Sequence, residues 1–415
     1  MRVTTAFNRV LSLPGTSVSS VSFTESGLVL GVRRRARRHR CPCGWSTASR
    51  YDVSRRRWRH LDFGATRVWL EAEVARLDCR RCGRVRTEEV PWARPGARAT
   101  RDFEDVIAWL AQRMDKTSVS RLLRCAWETV DRAVKRVVAD HLDDTRLDRL
   151  YRIGVDEISY RRGHRYLTVV ADHDTGRVVW VAKNRDQEAF GGFFDALGQA
   201  RSTALTAITA DAGGIYLPVA RARATNATIC LDPFHVIKWA NEALDAFYRS
   251  TPALPTDDDV AQWKTGQRGR PNWQRLRTAL RTGGERLTER QRALITVVQR
   301  HSRRLWRAWQ LKEELRELYH STEPAQARAH LKAWITAALR SRIAPMQTLA
   351  RRLRAHFDAV IAAVELGLSN SRLEGINTKI RVIQRRGYGH NNPDALTAMI
   401  YLCLGGIDIP LPTRT

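Results

Sequence analysis

Residues 151–183 contain the pattern that most limits how this chain can fold: three short runs rich in β-branched and aromatic residues. Gly163 separates the first two runs, and Asp174-Thr175-Gly176 separates the last two; these residue types favour tight turns. The segment is therefore predicted to form three antiparallel strands. The predicted strands are Tyr151–Ser159, Arg165–Ala171 and Arg177–Lys183.

One helix and two more strands are predicted after these three. Gln187–Leu197 has helical periodicity, Leu205–Thr209 and Thr228–Leu231 are β-rich, and a helix begins near Phe234. This succession of elements is typical of an RNase H-like core with a mixed sheet. In that order the first and fourth strands are neighbours.

Two aspartates fall on these neighbouring strands. Asp156 lies within the first strand, and Asp211 follows the fourth. Since side chains alternate along a strand, Asp156 and Glu157 point to opposite faces, and only one of them can share a site with Asp211. Two facing carboxylates repel each other unless one is protonated or a cation lies between them. Paired oxygen ligands of this kind suit Mg²⁺ or Mn²⁺.

A third acidic residue lies far along the chain, in a predicted capped helix over Ser369–Arg381. Helical spacing gives this segment one polar and one apolar face. A polar face with a single carboxylate fits either a metal site beside DNA or an ordinary solvated surface. The polar face consists of Asn370, Glu374, Asn377 and Arg381, and the apolar face of Ile376, Ile380 and Ile383.

Asp232 and His235 follow the fifth strand and form a further candidate site. Asp232 is either a fourth acidic group beside the metal ions or a cap of the helix that begins next to it. His235 is a candidate for contact with a phosphate. Asn370 and Asn377 are accessory candidates on the later helix.

The chain carries a large positive charge, since 71 Lys and Arg residues against 43 Asp and Glu give a net charge of +28 over 415 residues. Nucleic acid is the first candidate partner for such a surplus, and an anionic membrane surface is the second. No apolar run approaches the roughly 20 residues of a membrane span, and Met1–Leu13 lacks the apolar core of a secretory signal. We therefore expect a cytoplasmic, nucleoid-associated protein with no membrane partner.

The positive charge is concentrated between residues 31 and 60, where eleven arginines accompany the single acidic residue Asp52. Trp45, Tyr51 and Trp58 are interleaved with them, a mixture that favours contact with a nucleic-acid backbone over a solvated basic loop. The predicted DNA-binding residues of this cluster are Arg55, Arg56 and Arg57.

Two close cysteine pairs flank a predicted strand at Arg67–Leu77. Cys41 and Cys43 form a C-x-C motif, and Cys79 and Cys82 form a C-x-x-C motif. Four such sulfurs are the ligand set of a structural Zn²⁺ site. Because C-x-C is the less common spacing, His39 remains an alternative ligand, and two pairs of free or buried thiols remain the alternative to zinc.

The segment between 100 and 148 is predicted to be a helix-turn-helix domain. Its helices are Asp102–Met114, Ser118–Leu123 and Trp127–Val138, and the last exposes basic residues suited to the major groove. Any small three-helix bundle shows similar periodicity, so that alternative stays open. The predicted DNA-binding residues here are Arg132, Lys135 and Arg136.

A helical insertion is predicted at about 240–366, between the last strand and Glu374. Trp306 and Trp309 lie in an arginine-rich part of it, which contacts DNA, contacts a second protomer, or is simply solvated. Arg268–Pro271 is predicted to be a basic loop able to reach a minor groove.

Several motifs together resemble the ISL-three family of bacterial insertion-sequence transposases. The resemblance covers nearly the whole chain, with the motifs in the same order, although the first cysteine pair is C-x-C where many members have C-x-x-C. The matching motifs are Ile153–Glu157, Ala210-Asp211, Asp232–Val236, Ser369-Asn370, Glu374–Asn377, Arg386–Gly389 and the two cysteine pairs.

This resemblance implies a DDE enzyme whose catalytic triad is Asp156, Asp211 and Glu374, with Mg²⁺ or Mn²⁺ at the triad and Zn²⁺ at the cysteines. It further implies binding to the terminal inverted repeats and to target double-stranded DNA, followed by metal-dependent cleavage and strand transfer. Since two DNA ends must be joined, a homodimer or larger assembly on DNA is expected. A catalytically inactive DNA-binding regulator and a nuclease without strand transfer remain the alternatives.

The predicted fold class is accordingly α+β and multidomain. Residues 1–95 are expected to form a basic zinc-binding β region, and residues 100–148 the helix-turn-helix domain. Residues 150–415 are expected to form the RNase H-like catalytic domain with its helical insertion.

Overall fold

The computed structural model describes residues 2–211, 214–251, 272–320, 323–387 and 392–411. The chain forms two compact units: Met1–Arg146 together with Ile380–Thr415, and Leu147–Lys379. The predicted basic loop at 268–271 lies outside the described residues, as do 388 and 389 of the C-terminal motif. Within the described part of the chain, no helix combines the length and apolar character needed to span a bilayer.

The first unit begins with a short helix and a five-stranded sheet. The sheet has the order β1-β2-β6-β5, with β7 paired to β6, while β3 and β4 form a separate two-stranded sheet. Within β6, alternate residues from Val68 to Val74 are buried, which agrees with the strand predicted there. The elements are α1 (Val3–Leu11), β1 (Thr16–Thr24), β2 (Gly27–Arg34), β3 (His39–Arg40), β4 (Ser46–Thr47), β5 (Asp52–Phe63), β6 (Thr66–Cys79) and β7 (Arg84–Thr87).

Three helices complete this part of the unit: α2 (Arg101–Ala111), α3 (Lys116–Leu122) and α4 (Trp127–His141). The Thr100 side chain caps α2 and the Asp115 side chain caps α3, each accepting a backbone N–H of the first turn. The valines of α4 are buried, as their helical spacing predicted. A 3₁₀ turn at Asp144–Leu147 follows.

The second unit is built on a five-stranded mixed sheet in the order β10-β9-β8-β11-β12. The pairs β8–β9 and β9–β10 are antiparallel, while β8–β11 and β11–β12 are parallel. This is the RNase H-like order predicted from the sequence, with the first and fourth strands adjacent. The strands are β8 (Arg152–Arg161), β9 (Arg165–Asp172), β10 (Val178–Lys183), β11 (Ala207–Ala210) and β12 (Thr228–Leu231).

Aromatic packing fixes the helices that surround this sheet. Phe190 and Phe194 pack edge to face with ring centroids 5.1 Å apart, and Phe190 packs against Tyr216 at 5.5 Å. Each large apolar side chain buried in this way contributes about 1.5–3 kcal/mol. The helices are α5 (Gln187–Leu197), α6 (Gln199–Ala204), α7 (Tyr216–Arg223) and α8 (Pro233–Arg249).

Within the predicted helical insertion, Ser302 separates two consecutive helices. Ser302 has non-helical dihedral angles, and its hydroxyl accepts the backbone N–H of Leu305, so it caps the second helix. The helices between residues 272 and 365 are α9 (Asn272–Arg281), α10 (Glu289–His301), α11 (Arg303–Glu317), α12 (Pro324–Arg340), α13 (Ala344–Ala355) and α14 (Phe357–Glu365), with 3₁₀ turns at Gly284–Arg286 and Leu318–His320.

Two helices close the chain, α15 (Ser371–Arg386) and α16 (Pro393–Leu404). At the C-terminal end of α15, Arg386 donates hydrogen bonds of 2.9 and 2.8 Å to the carbonyls of Ala111 and Gln112 at the end of α2. α16 packs against α4. The C-terminal segment is therefore part of the same compact unit as the helix-turn-helix.

Candidate catalytic and DNA-binding sites

Three aspartates stand in one row at an edge of the second unit's sheet. β11 pairs in parallel with both β8 and β12. The same register, continued past the last paired residues, places Asp211 opposite Asp156 on one side and opposite Asp232 on the other. Three neighbouring strands thus present carboxylates at the same end of the sheet. The carboxyl ends of parallel strands commonly form a binding site.

Asp232 is the most deeply buried of the three, with 1% of its surface exposed. Its Oδ1 accepts the backbone N–H of Phe234 at 3.4 Å, which caps α8, and that of Asn370 at 3.1 Å. Its Oδ2 lies 2.8 Å from Nδ1 of His235. Nε2 of the same imidazole lies 3.6 Å from Oδ2 of Asp211. Asp232 therefore caps the helix and also holds His235 against Asp211.

Helix α15 is attached to the row of aspartates through two buried asparagines. Nδ2 of Asn377 donates to Oδ2 of Asp156 at 2.8 Å, and Nδ2 of Asn370 donates to the carbonyl of Val155 at 3.5 Å. Glu374 lies between these asparagines in sequence and is exposed. The structure thus brings the part of the predicted polar face from Asn370 to Asn377 to the same end of the sheet as the aspartates.

Close packing at Gly154 brings α15 this near to β8. A Cβ atom at this position would stand 2.3 Å from Cδ1 of Leu373, 2.8 Å from Oγ1 of Thr209 and 2.9 Å from Nε2 of His173. Real Cβ atoms do not approach other atoms this closely, so a side chain here would require Leu373 of α15, together with Thr209 and His173, to shift.

The carboxyls of this cluster hold their charge less readily than they would in water. Burial raises the pKa of Asp156 to about 6, and repulsion from Glu157 and Asp232 adds to the effect. Partial loss of water around the Glu374 carboxyl, together with the charge of Asp232, likewise raises the pKa of Glu374. Burial alone would lower the pKa of His235, but its hydrogen bond to Asp232 and the charge of Asp211 raise it. A bound cation would reverse the effect on the carboxyls.

The donor set fits a hard divalent ion, because it consists of carboxylate oxygens with one imidazole. A compact metal site needs at least three Asp, Glu, His or Cys side chains with their ligand atoms close together. Among the described residues, such a group, with all ligand atoms within 4.8 Å of one another, is formed by cysteines. Asp156, Asp211 and Glu374 are therefore spread more widely.

The four cysteines of the first unit come together. Sγ of Cys41 lies 3.9 Å from that of Cys82, Sγ of Cys43 lies 3.5 Å from that of Cys79, and all four are mutually within 4.8 Å. Tetrahedral Zn–S bonds of about 2.3 Å require sulfurs about 3.8 Å apart, so the cluster fits zinc.

Local backbone geometry explains how both cysteine pairs turn toward one point. Gly44 and Gly83, which directly follow the two pairs, have φ of 90° and 64°, a conformation that glycine adopts without strain. Burial raises the pKa of Cys41 to about 12, and a backbone hydrogen bond at Trp45 lowers that of Cys43 to about 7. Zinc binds thiolates, so its binding would take the proton from Cys41.

His39 lies outside this cluster. Its Nδ1 is 2.7 Å from Oε2 of the buried Glu88, and Arg34 also contacts that carboxylate. Nδ1 of the imidazole is thus engaged by Glu88, and the alternative of His39 as a zinc ligand has no support in the geometry.

A cavity of about 890 Å³ lies in the first unit, beside β5, β6 and the start of α4. We call it the basic groove, because six arginines line it together with Trp58 and Trp69. Arg59 and Arg124 are paired with Asp62. The groove arginines are Arg56, Arg57, Arg59, Arg67, Arg98 and Arg124.

Two groove arginines offer uncompensated charge. Arg67 and Arg98 are exposed, and neither has an ion pair or hydrogen bond from its side chain to any described residue. Ala126 gives α4 no side-chain cap, so first-turn N–H groups are open beside the same groove. Free guanidinium groups together with open helix N–H groups are suited to phosphate.

The predicted DNA-binding residues of the arginine cluster differ in their surroundings. Arg55 and Arg57 pair with the carboxylate of Glu71, the Arg57 contact being 3.1 Å, and Arg56 is exposed in the groove. Arg59, from the same cluster, is buried with 6% exposure, so this part of the cluster serves the fold.

The predicted DNA-binding residues on α4 and α15 also differ in their surroundings. On α4, Arg132 is exposed, Lys135 pairs with Asp131 at 2.8 Å, and Arg136 donates to the fully buried Glu104 at 2.8 Å. Arg381 on α15 is exposed. Arg132 and Arg381 are thus freer to meet a phosphate than Arg136.

Family models match three consecutive parts of the chain. Residues 37–82 match the zinc-finger of transposase IS204/IS1001/IS1096/IS1165, and residues 88–138 match the helix-turn-helix domain of transposase family ISL3. Residues 153–400, more than half of the chain, match the DDE transposase domain of ISL3. The chain belongs to the ISL3 family of transposases.

Relatives of this transposase are similar over nearly their full length. The transposase for insertion sequence element IS1557 of Mycobacterium tuberculosis is 41% identical over 424 residues, covering 96% of this chain and 95% of the relative. The transposase for IS1001 of Bordetella parapertussis is 27% identical over 353 residues, covering 85% of each chain. The predicted family, fold class and role in DNA transposition are confirmed.

Sequence patterns missed part of the transposase's basic surface. Arg67, Arg98 and Arg124 come from a strand, a loop and a helix-turn-helix turn, so no local run of charge marks them. Of these three arginines, Arg124 has an unusual backbone conformation, with φ of 50°. A positive φ at a non-glycine residue cannot be read from the sequence.

Proposed function

We propose that this transposase cleaves DNA at the terminal inverted repeats of its insertion sequence and joins the freed ends to target DNA by two-metal-ion phosphoryl transfer. Asp156, Asp211 and Glu374 are the proposed metal ligands. The observation that carries this proposal is the row of aspartates across three neighbouring strands, with the glutamate-bearing helix attached to it by Asn377.

The chain's own residues orient the reacting groups. When bound, two Mg²⁺ or Mn²⁺ ions would activate the attacking oxygen and offset the charge on the leaving oxygen. Asp156 is held by the Asn377 amide and by the backbone N–H of Glu157, each at 2.8 Å, so both of its oxygens have fixed directions. Asn370 ties the start of α15 to Asp232 and to the strand carrying Asp156.

The proposed reaction has two in-line displacements. Water attacks the phosphodiester at the element end, one P–O bond forms as another breaks, and a 3′-OH is released. That 3′-OH then attacks a phosphodiester of the target DNA and displaces a second 3′ oxygen. Neither step needs a covalent bond to the enzyme, so no serine or tyrosine nucleophile is required.

Strand transfer separates this function from that of a nuclease. We expect the chain, with Mg²⁺ and a duplex already cleaved at the element end, to join that end to a target plasmid. A product containing both DNAs supports the proposal, whereas cleavage of intact ends without any joined product contradicts it. Joining both ends calls for two or more copies of the chain on DNA, which light scattering of the protein–DNA complex measures.

His235 is proposed to act beside Asp211, either on the scissile phosphate or by orienting that carboxylate. Its contact with the buried Asp232 fixes the direction of the imidazole. We expect His235→Ala to lower the cleavage rate about 10- to 100-fold with unchanged binding to the terminal repeat, in the range found for residues that support metal ligands. His164→Ala, at an exposed turn, is the matched control. Equal rates for both variants would contradict this role.

The basic groove and the exposed face of α4 are proposed to bind the terminal-repeat duplex. Arg132 on α4 is placed for base contacts, while Arg67 and Arg98 of the groove would contact backbone phosphates beside the helix. Arg55, Arg56, Arg57, Lys135, Arg136 and Arg381 are proposed to strengthen this DNA-binding surface.

The groove is tested by a double substitution, Arg67→Ala with Arg98→Ala. Each substitution removes one free phosphate contact, so we expect weaker binding to DNA. The slope of log binding constant against log salt concentration should become less steep by about 0.9 for each arginine. Arg2→Ala with Arg9→Ala removes the same charge from exposed positions outside the groove. Fluorescence anisotropy at several salt concentrations measures both; identical slopes in the two double variants would rule the groove out.

The four cysteines are proposed to hold one structural Zn²⁺, which would tie the segment after β3 to the end of β6. The sulfur positions fit tetrahedral coordination without rearrangement of the pairs.

A further inference from the structure

Arg352 on α13 has surroundings unlike those of the other arginines near the acidic cluster. Its guanidinium carbon lies 3.3 Å from the ring centroid of Trp239 on α8, a cation–π stacking contact. The tryptophan beneath it is buried, with 7% of its surface exposed. The stacked arrangement fixes the plane of the guanidinium group while the rest of the arginine remains exposed.

This stack lies close to the proposed metal ligands. Trp239 is four residues after His235, so both side chains are on one face of α8. His235 contacts Asp211 at 3.6 Å, and Arg352 itself interacts electrostatically with Asp211. α13 packs against α8, which holds the two helices together.

The N–H groups of Arg352 have no partner in the described part of the chain. Asp211 and Glu242 interact with it at long range, and neither forms an ion pair with it. Other arginines of this unit form ion pairs: Arg277 bonds to Asp245 at 2.7 Å, and Arg316 bonds to Glu285 at 2.6 Å. Stacking on a ring uses the face of a guanidinium group and leaves its edge donors available.

We propose that Arg352, stacked on Trp239, binds a backbone phosphate of the DNA strand immediately beside the phosphate that is cleaved. The planar fork of N–H donors matches the geometry of a phosphate, and the stack orders the side chain before DNA arrives. A cation here would also attract substrate to a cluster that is otherwise rich in carboxylates. The inference rests on the proposed function, because it assigns a role in the same site.

The test combines side-chain and phosphate substitutions. Wild-type chain, Arg352→Ala, Arg352→Lys and Arg351→Ala are assayed with Mg²⁺ on terminal-repeat duplexes in which one phosphate at a time, beside the cleavage position, is a neutral methylphosphonate. We expect Arg352→Ala to cleave unmodified DNA about 10- to 100-fold more slowly, the usual range for a charge-assisted hydrogen bond. Lysine should restore part of the rate, since it supplies charge without the fork.

One methylphosphonate position is expected to slow the wild type and Arg351→Ala by a similar factor while changing the rate of Arg352→Ala less than about threefold. If Arg352 contacts that phosphate, removing the arginine also removes the effect of neutralising the phosphate. If Arg352 has only a structural role, the two changes lower the rate independently, and their free-energy effects add. Thermal unfolding should remain within about 2 °C of the wild type.

Two outcomes overturn the inference in distinguishable ways. If Arg352→Ala cleaves at the wild-type rate, or keeps full sensitivity at every modified position, the contact does not exist and the proposed function is unaffected. If the wild type itself does not cleave unmodified DNA, the proposed function fails and the assignment of Arg352 fails with it.

Discussion

Asp156→Asn is expected to abolish cleavage of terminal-repeat DNA and to leave binding to that DNA unchanged. Asparagine has the shape of aspartate and can still accept a hydrogen bond from Asn377, but it lacks the charge needed to hold a divalent ion. We expect the cleavage rate to fall at least about 10³-fold, because stabilisation of the charged transition state is lost. Cleavage of an end-labelled duplex with Mg²⁺ and mobility shift of the same duplex measure the two properties.

Asp195→Asn is the matched control for this substitution. Asp195 is an exposed acid of α5 that pairs with Arg223 at the surface, so its loss should change neither rate nor binding. Cleavage by Asp156→Asn at a rate near that of the control would exclude Asp156 as a metal ligand.

The same substitution is expected to stabilise the folded chain. Burial raises the pKa of Asp156 to about 6, so folding disfavours its charged form. Below the pKa of the unfolded state, near 4, the carboxyl is protonated in both states and does not lower the free energy of unfolding. As the pH rises from there through about 6, the unfolded chain loses this proton more readily, and the free energy of unfolding falls. Asp156→Asn should therefore gain about 1–3 kcal/mol at pH 7 and almost nothing below pH 4. Chemical unfolding at both pH values, without added Mg²⁺, measures the difference.

Cys79→Ser is expected to remove zinc and, with it, binding to the terminal repeats. Cys79 is fully buried at the end of β6, and its sulfur lies against that of Cys43. Zinc binding contributes about 10–16 kcal/mol to the folding of small zinc-binding peptides. This is as large as the whole free energy of unfolding of a typical domain, about 5–15 kcal/mol. We expect less than about a tenth of the wild-type zinc content, by elemental analysis, and at least about 100-fold weaker binding.

Cys403→Ser and His39→Ala are the controls for the zinc site. Both residues lie outside the cysteine cluster, so each variant should retain one zinc per chain. A Cys79→Ser chain that keeps stoichiometric zinc would contradict the assignment of the four cysteines, and zinc loss from His39→Ala would return His39 to the ligand set.

Local pattern was enough to predict the strands and the aspartates of the candidate site. The alternation of β8 and the turn at Gly163 define the first strands, and strand order then makes Asp156 and Asp211 neighbours. For Glu374 the sequence offered a polar helical face but no distance to the sheet. Leu373 of the same helix packs closely over Gly154, a contact between residues more than two hundred positions apart that sequence does not show.

Charge was harder to interpret, because sequence shows arginines but not their partners. Arg136 was predicted to face DNA, yet it neutralises the buried Glu104, while Arg59 of the basic cluster is buried beside Asp62. The free guanidinium groups at Arg98 and Arg352 lie in stretches without a distinctive pattern. Which arginines remain available is decided by tertiary pairing with acids that are distant in sequence.

Asn377 bonds to Asp156 across 221 positions of the chain, and Asn370 bonds to Asp232 across 138. A site joined over such separations has no local precursor, since neither the sheet nor the helix holds a complete set of ligands. Loop closure of this length is among the later events of folding. An emerging or partly unfolded chain already carries the charge that attracts DNA but lacks the proposed site, so we expect strand breakage only from chains that have finished folding.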